Sequence, residues 1–174
     1  MKRTALFYGP VGGKTEKIAE RLWEMIGRDR CDLIKVRDSD RKTIGKYDNI
    51  IFGTSTIGME TWDGEQVRSG WFTFINELAE AELKGKKIAL FGLGDHIRYA
   101  GHFVDAMGEI YEILQKKGVD TIGKVDPAGY QFTDSKALAG GMFVGLPIDE
   151  EFEADKSEER MRKWVDFLLR EFAD

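Results

Sequence analysis

The sequence predicts an α/β fold in which one parallel sheet is covered on both faces by helices. Three observations lead there. Short apolar runs alternate with amphipathic stretches along the whole chain, the pattern of repeated strand–helix units. The runs Asn49–Gly53 and Ile88–Gly92 are almost wholly apolar, as strands buried on both faces are. Glycines at 27 and 118 close two of the helical stretches, where the chain must leave the helix.

The elements follow in order. Lys2 to Tyr8 reads as a strand, then a glycine-rich loop, then a helix from about Lys14 with Ile18, Ala19, Leu22 and Ile26 on one face. Leu33–Val36 and Asn49–Gly53 are the second and third strands. A long loop is expected from Thr54 to about Gly70, followed by a helix around Trp71–Leu78. Ile88–Gly92 is the fourth strand. The next helix carries Phe103, Met107, Ile110, Tyr111 and Leu114, and Val119–Val125 reads as a fifth strand. A last helix is expected to begin after Ser157, an N-cap residue, with Glu158 and Glu159 facing the positive end of its dipole. Its buried stripe is Met161, Trp164, Val165, Leu168 and Phe172.

Composition narrows the function. At 174 residues the chain is one compact domain, residues 1–174, with no internal repeat. The 42% apolar and 33% charged content fits a folded soluble protein. A single cysteine, Cys31, rules out an internal disulfide or a cysteine-ligated cluster, and two histidines are too few for a histidine metal site. Net charge of −5 argues against general nucleic-acid binding and suits partners with basic docking patches. No apolar run approaches the roughly 20 residues that span a bilayer. The basic start Met1-Lys2-Arg3 precedes an apolar run cut short at Gly9-Pro10, too short for an export signal, so a cytoplasmic location is expected.

Ligands of such folds bind beyond the carboxyl ends of the strands, where strand order reverses. Three loops there are unusual. The first, Tyr8-Gly9-Pro10-Val11-Gly12-Gly13-Lys14-Thr15, sets glycine N–H groups and a helix N-terminus where an anion can approach. It misses the nucleotide triphosphatase spacing G-x-x-x-x-G-K-[ST] by one residue, and alone it is either a phosphate loop or a plain tight turn. The second, from Thr54 to Glu65, contains Thr56, Ile57, Gly58 and Trp62, which suit a flat ligand with polar edges. The third, Gly92-Leu93-Gly94-Asp95-His96-Ile97-Arg98-Tyr99, offers backbone donors, a carboxylate and an aromatic face. His96 and His102 read as surface residues, because no nucleophile or orienting pair adjoins them in sequence.

Together these motifs resemble the flavodoxins, nearly from end to end. Gly13-Lys14-Thr15-Glu16 looks like the end of the family's phosphate loop, and Gly92-Leu93-Gly94-Asp95 with Tyr99 looks like its second flavin loop. Gly129-Tyr130-Gln131-Phe132, Ser135-Lys136-Ala137 and Phe143-Val144-Gly145-Leu146 match the insertion that splits the fifth strand of long-chain members. The resemblance implies a three-layer flavodoxin-like sandwich with five parallel strands in the order 2-1-3-4-5. It implies non-covalently bound flavin mononucleotide (FMN), cycling between semiquinone and hydroquinone at low potential. It also implies a monomeric electron carrier, without substrate turnover of its own, that serves a reductase donor and an acceptor enzyme.

The same resemblance assigns the site. Pro10, Val11, Gly12, Gly13, Lys14 and Thr15 hold the phosphate. Tyr99 stacks on one ring face, while Thr56, Ile57 and Gly58 lie against the other face and the N5 edge, with Trp62 as a lid. Asp95, with Leu93 and Gly94, reads the pyrimidine edge, and His102 and Asp149 complete the surroundings. A carbonyl near Gly58 accepts from N5–H of the neutral semiquinone, and Arg98 is a positive charge near the ring edge.

Two departures stand out. Pro10 and Gly12 occupy positions where the family carries hydroxyls; each lost hydrogen bond to a charged group costs about 1.5–3 kcal/mol if water does not replace it. Binding is expected to weaken rather than vanish. Ile57 stands where many members have tryptophan. Two other readings stay open at this point: a small FMN-dependent reductase, and a flavodoxin-like binding module that has lost its flavin.

Overall fold

The computed structural model describes residues 3–62 and 65–174, and for residues 59–62 and 65–67 only the backbone. Chain order is β1 (Thr4–Tyr8), α1 (Lys14–Ile26), β2 (Cys31–Lys35), α2 (Arg41–Gly45), β3 (Asn49–Thr54), β4 (Met59–Trp62), β5 (Glu65–Arg68), α3 (Gly70–Glu80), β6 (Lys87–Leu93), α4 (Asp105–Lys116), β7 (Leu138–Ala139), β8 (Met142–Phe143), β9 (Leu146–Ile148) and α5 (Ala154–Ala173). The main sheet runs β2-β1-β3-β6-β9, all parallel. Counting only its own strands, this is the expected order 2-1-3-4-5.

Strand periodicity sorts the core into two layers. Ala5, Phe7, Ile50, Phe52, Ile88 and Leu90 face α3 and α4, against Phe74, Leu78, Met107, Ile110 and Leu114. Leu6, Tyr8, Ile51, Ala89 and Phe91 face α1 and α5, against Ile18, Leu22, Met161, Trp164 and Leu168. Gly53 is required in this arrangement: a Cβ there would lie 1.9 Å from Cζ of Phe91.

Four expectations change. The segment Val119–Val125 is not a continuous strand. Ile122 makes one parallel bridge to Ala89, Val125 bridges Phe143, and the sheet's fifth strand is Leu146–Ile148. The strand is therefore split by the insertion, but its first half is a single bridge. The last helix begins at Ala154, so Ser157 lies inside it and is buried; the N-cap position is Glu153. Glu-Ala-Asp-Lys has enough helix propensity to extend the helix upstream. Phe103 precedes α4 rather than lying on it, and Val104 at its N-cap position takes φ 51°, an uncommon conformation for a β-branched residue. The segment after Thr54 contains the antiparallel pair β4–β5. Lys2 lies outside the described residues.

The insertion aromatics pack inward. Phe132 stacks on Phe103 with ring centroids 5.9 Å apart, and Tyr130 meets Phe143 edge-on at 5.3 Å. Main-chain bonds tie the insertion to the segment after Tyr99: Thr133 and Asp134 N–H groups donate to Ala100 O at 2.7 and 3.0 Å. The Ser135 hydroxyl donates to Phe103 O at 2.5 Å, and Lys136 N–H to Asp105 Oδ1 at 2.8 Å. No helix of the described residues is long and apolar enough to cross a membrane.

Candidate flavin cleft at the carboxyl end of the sheet

The loops after β1, β3 and β6 meet above the carboxyl ends of those strands. Gly9 N–H donates to Gly53 O at 3.2 Å, and the Trp71 indole donates to the same oxygen at 2.9 Å. These bonds tie the first loop and α3 to the end of β3. Two adjoining clefts of about 450 Å³ each open between the loops. One is walled by Pro10, Lys14, Thr15, Arg98, Glu150 and Glu151, the other by Thr56, Ile57, Gly58, His102, Val104 and Asp105. Ser55, Leu93, Gly94, Asp95 and Tyr99 line both.

The first loop ends in a helix N-terminus without a side-chain cap. Gly13 is extended at the N-cap position, and no side chain supplies a capping hydrogen bond there. The first-turn N–H groups of α1 therefore lack intrahelical partners and suit an anion. Thr15, in that turn, is buried and lines the first cleft. Gly12 has φ 91°, where a β-branched hydroxyl residue would be strained; this accounts for one of the two hydroxyls missing from the loop. Val11 packs on the α1/α5 layer. The Gly12 N–H is already used: it donates to Glu16 Oε2 at 2.5 Å, and the Tyr8 hydroxyl donates to Glu16 Oε1 at 2.7 Å. Burial works against the Glu16 carboxylate, but those two donors outweigh it and hold the carboxyl below its ordinary range.

The second loop is held from behind by Ser69. Its hydroxyl donates to Ile57 O at 2.5 Å and its N–H to Gly58 O at 3.0 Å. Ile57 is partly buried against the α3/α4 layer, and a Cβ at Gly58 would meet nothing within 4 Å. The side chain of Trp62 lies outside the described residues.

In the third loop, Tyr99 is 62% exposed and forms the wall common to both clefts. Gly92 and Gly94 serve packing first: Cβ atoms there would press on Met107 and Phe103 at 3.0 Å. The Gly94 N–H extends the sheet by donating to Ile148 O at 3.0 Å. Asp95 organises its own loop. Its carboxylate accepts from Ile97 N–H at 3.0 Å, Arg98 N–H at 2.8 Å and the Arg98 guanidinium. Arg98 also reaches Glu151 at 3.5 Å, and Glu151 pairs with Lys14. The positive charge of Arg98 is thus shared between two carboxylates. His102 lies on the rim, with Nδ1 3.0 Å from Asp105 Oδ2.

Two residues sit differently from expectation. His96 is not a surface residue: its side chain is 10% exposed and pairs through Nδ1 with Asp149. Asp149 is wholly buried and lines neither cleft. It accepts from the N–H groups of His96 at 3.0 Å and of Glu151 and Phe152, each at 2.9 Å. It is the anchor of the turn before α5, placed beneath the cleft rather than in it. Their separation of 53 residues hid this pairing from the sequence.

Burial opposes the charged forms of Asp95 and Asp149, yet the hydrogen bonds around each outweigh it and lower both carboxyls below the usual range. Their stabilising contribution is present above the unfolded value near 3.9 and is lost as pH falls through the lower folded values. The urea midpoint is expected to stay level from about pH 7 to 5 and to drop below about pH 4. Asp95→Asn should have a lower midpoint at neutral pH and a shallower acid decline, both read by tryptophan fluorescence.

Against this geometry the comparisons agree with one another. The family model described as flavodoxin matches residues 6–164. Flavodoxin 1 of Azotobacter vinelandii is 38% identical over 176 residues, covering 99% of this chain and 98% of the relative. A flavodoxin of Trichodesmium erythraeum is 40% identical over 176 residues, covering 99% of each chain. The solved Fusobacterium nucleatum flavodoxin, described as bound to flavin mononucleotide, superposes with a TM-score of 0.85 at 24% identity, covering 98% of this chain and 99% of that one. Matches spanning the sheet, the three loops and the insertion place the chain in the flavodoxin family.

Proposed function

We propose that the joined clefts bind FMN non-covalently and that the protein carries electrons between protein partners, as a cytoplasmic monomer. The observation that carries this reading is the uncapped N-terminus of α1 opening into a cleft that shares its Tyr99 wall with a second one. The flavin-bound Fusobacterium relative of the same fold supports it. A phosphate suits the first-turn N–H groups of Gly13, Lys14 and Thr15, together with the Thr15 hydroxyl. A flat ring suits the slot between Ile57 and Tyr99, its polar edge toward Leu93, Gly94 and Asp95.

Bound FMN supplies one-electron and two-electron redox chemistry; the protein fixes and tunes it. Ser69 keeps the Ile57 and Gly58 carbonyls turned toward its own N–H and hydroxyl. Turning the Gly58 carbonyl to the ring means giving up the Ser69 N–H bond. Glu16 works against the phosphate, because its carboxylate shares the loop. Glu16→Gln, which retains an acceptor for Tyr8, should tighten FMN binding about 3- to 10-fold at low salt, the gain shrinking as salt screens the charge. Fluorescence titration of the flavin-free protein measures this.

The carrier reading is tested by electron flow. Purified protein with NADPH alone should show no steady oxidation. Adding a flavoprotein reductase should let electrons pass on to a haem-protein acceptor. Steady NADPH oxidation with a quinone and no added reductase would establish a reductase instead.

A further inference from the structure

We propose that a second anion site, for a phosphate ester carrying a flat organic group, lies on the other side of the first loop. A cavity of about 500 Å³ there is enclosed by Gly9–Val11, by the 3₁₀ turn Val36–Asp38 and Ser39, and by the first turn of α3. Among the described residues, Pro10 alone lines both this cavity and the first flavin cleft.

Glycines bring its walls together. A Cβ at Gly9 would lie 2.7 Å from Cγ2 of Val36, and one at Gly70 would lie 3.0 Å from Cβ and 3.1 Å from N of Arg37. The 3₁₀ turn is thereby set directly against the start of α3. The polar groups at the mouth favour an anion. Arg37 and Arg68 both line the cavity, beside the hydroxyls of Ser39 and Thr73. Arg37 reaches Asp38 only at 3.8 Å, and the Arg68 guanidinium stands 4.5 Å over the Phe72 ring. Among the described residues the lining carboxylate is Glu77, engaged by Arg41 at 2.9 Å. The N-terminal dipole of α3 adds to the same field. Pro10, Val11, Val36 and Phe74 supply apolar surface beside these charges. Two guanidiniums together with apolar lining residues match a phosphate joined to a ring better than a bare ion. The electron-carrier reading uses Pro10 and Val11 but not Arg37, Ser39, Arg68 or Thr73.

The test uses protein saturated with FMN, so that added ligand cannot occupy the flavin cleft. Adenosine 5′-monophosphate is titrated while backbone amide resonances are followed, with adenosine and inorganic phosphate as separate probes. The expected result is saturable shifts at Arg37, Ser39, Gly70 and Thr73, with the monophosphate binding more tightly than either probe alone. Arg37→Gln/Arg68→Gln should weaken it about tenfold with the thermal midpoint unchanged, and any loss of FMN affinity through the Arg37 charge near Glu16 should be smaller. Arg28→Gln, at the far end of α1, is the control and should behave as the parent. Absence of shifts at millimolar ligand, or equal binding by the double variant, would overturn the proposal. Failure to saturate with FMN would count against the flavin reading instead; the titration on the flavin-free protein then decides this site through the same resonances.

Discussion

Tyr99→Ala is expected to weaken FMN binding about 5- to 150-fold, the range that follows from about 1–3 kcal/mol for stacking a flat ring on an aromatic side chain. The prediction is specific because Tyr99 contributes little else. Its side chain is 62% exposed, and the third loop is held by Asp95 and by the insertion's bonds to Ala100 and Phe103 rather than by the tyrosine ring. The variant should therefore keep the parent's thermal midpoint and lose affinity alone. Tyr99→Phe keeps the ring face and should bind within about twofold of the parent. A Tyr99→Ala protein with unchanged affinity would mean that the ring lies elsewhere.

Gly145→Ala should produce the largest loss of stability. A Cβ at that position would sit 2.1 Å from the carbonyl oxygen of Leu90 and 2.7 Å from its carbonyl carbon, both backbone atoms of β6. A side chain can rotate out of such a contact; a central strand cannot. Relief requires moving β9 off the sheet where Phe91–Leu93 pairs Leu146–Ile148. The cost is about 3 kcal/mol, the upper end for overpacking, which lowers the thermal midpoint by roughly 6–12 °C in a chain of this size. Gly58→Ala, where a Cβ meets nothing within 4 Å, is the matched control and should stay within about 2 °C of the parent. Equal midpoints for the two variants would contradict the packing described for the fifth strand.

Much of the fold was legible in the sequence because its signals are local. Ile18, Ala19, Leu22 and Ile26 repeat at helical spacing and are all buried on α1; Met161, Trp164, Val165, Leu168 and Phe172 do the same on α5. The misses come from contacts between distant residues. Ser157 has the chemistry of an N-cap but lies buried inside α5, because the upstream residues continue the helix. Val119–Val125 has strand composition, yet only Ile122 finds a partner on β6 before the insertion intervenes. His96 looked like a surface residue until Asp149 folded back beneath it. The three loops of the site were identifiable as unusual, and their residues do come together. The loop glycines were credited with exposing donors, whereas Gly92 and Gly94 are needed for close packing. Glu16's hold on the Gly12 N–H was not expected either.

FMN binding in this cleft has to be achieved with a phosphate loop short of hydroxyls. Titrating flavin-free protein with FMN, and following the quenching of flavin fluorescence, tests it most directly. The expected result is saturation at one FMN per chain, a yellow protein that releases FMN intact on denaturation, and weaker binding in Tyr99→Ala. Protein that remains colourless and leaves the fluorescence of added FMN unchanged would contradict it.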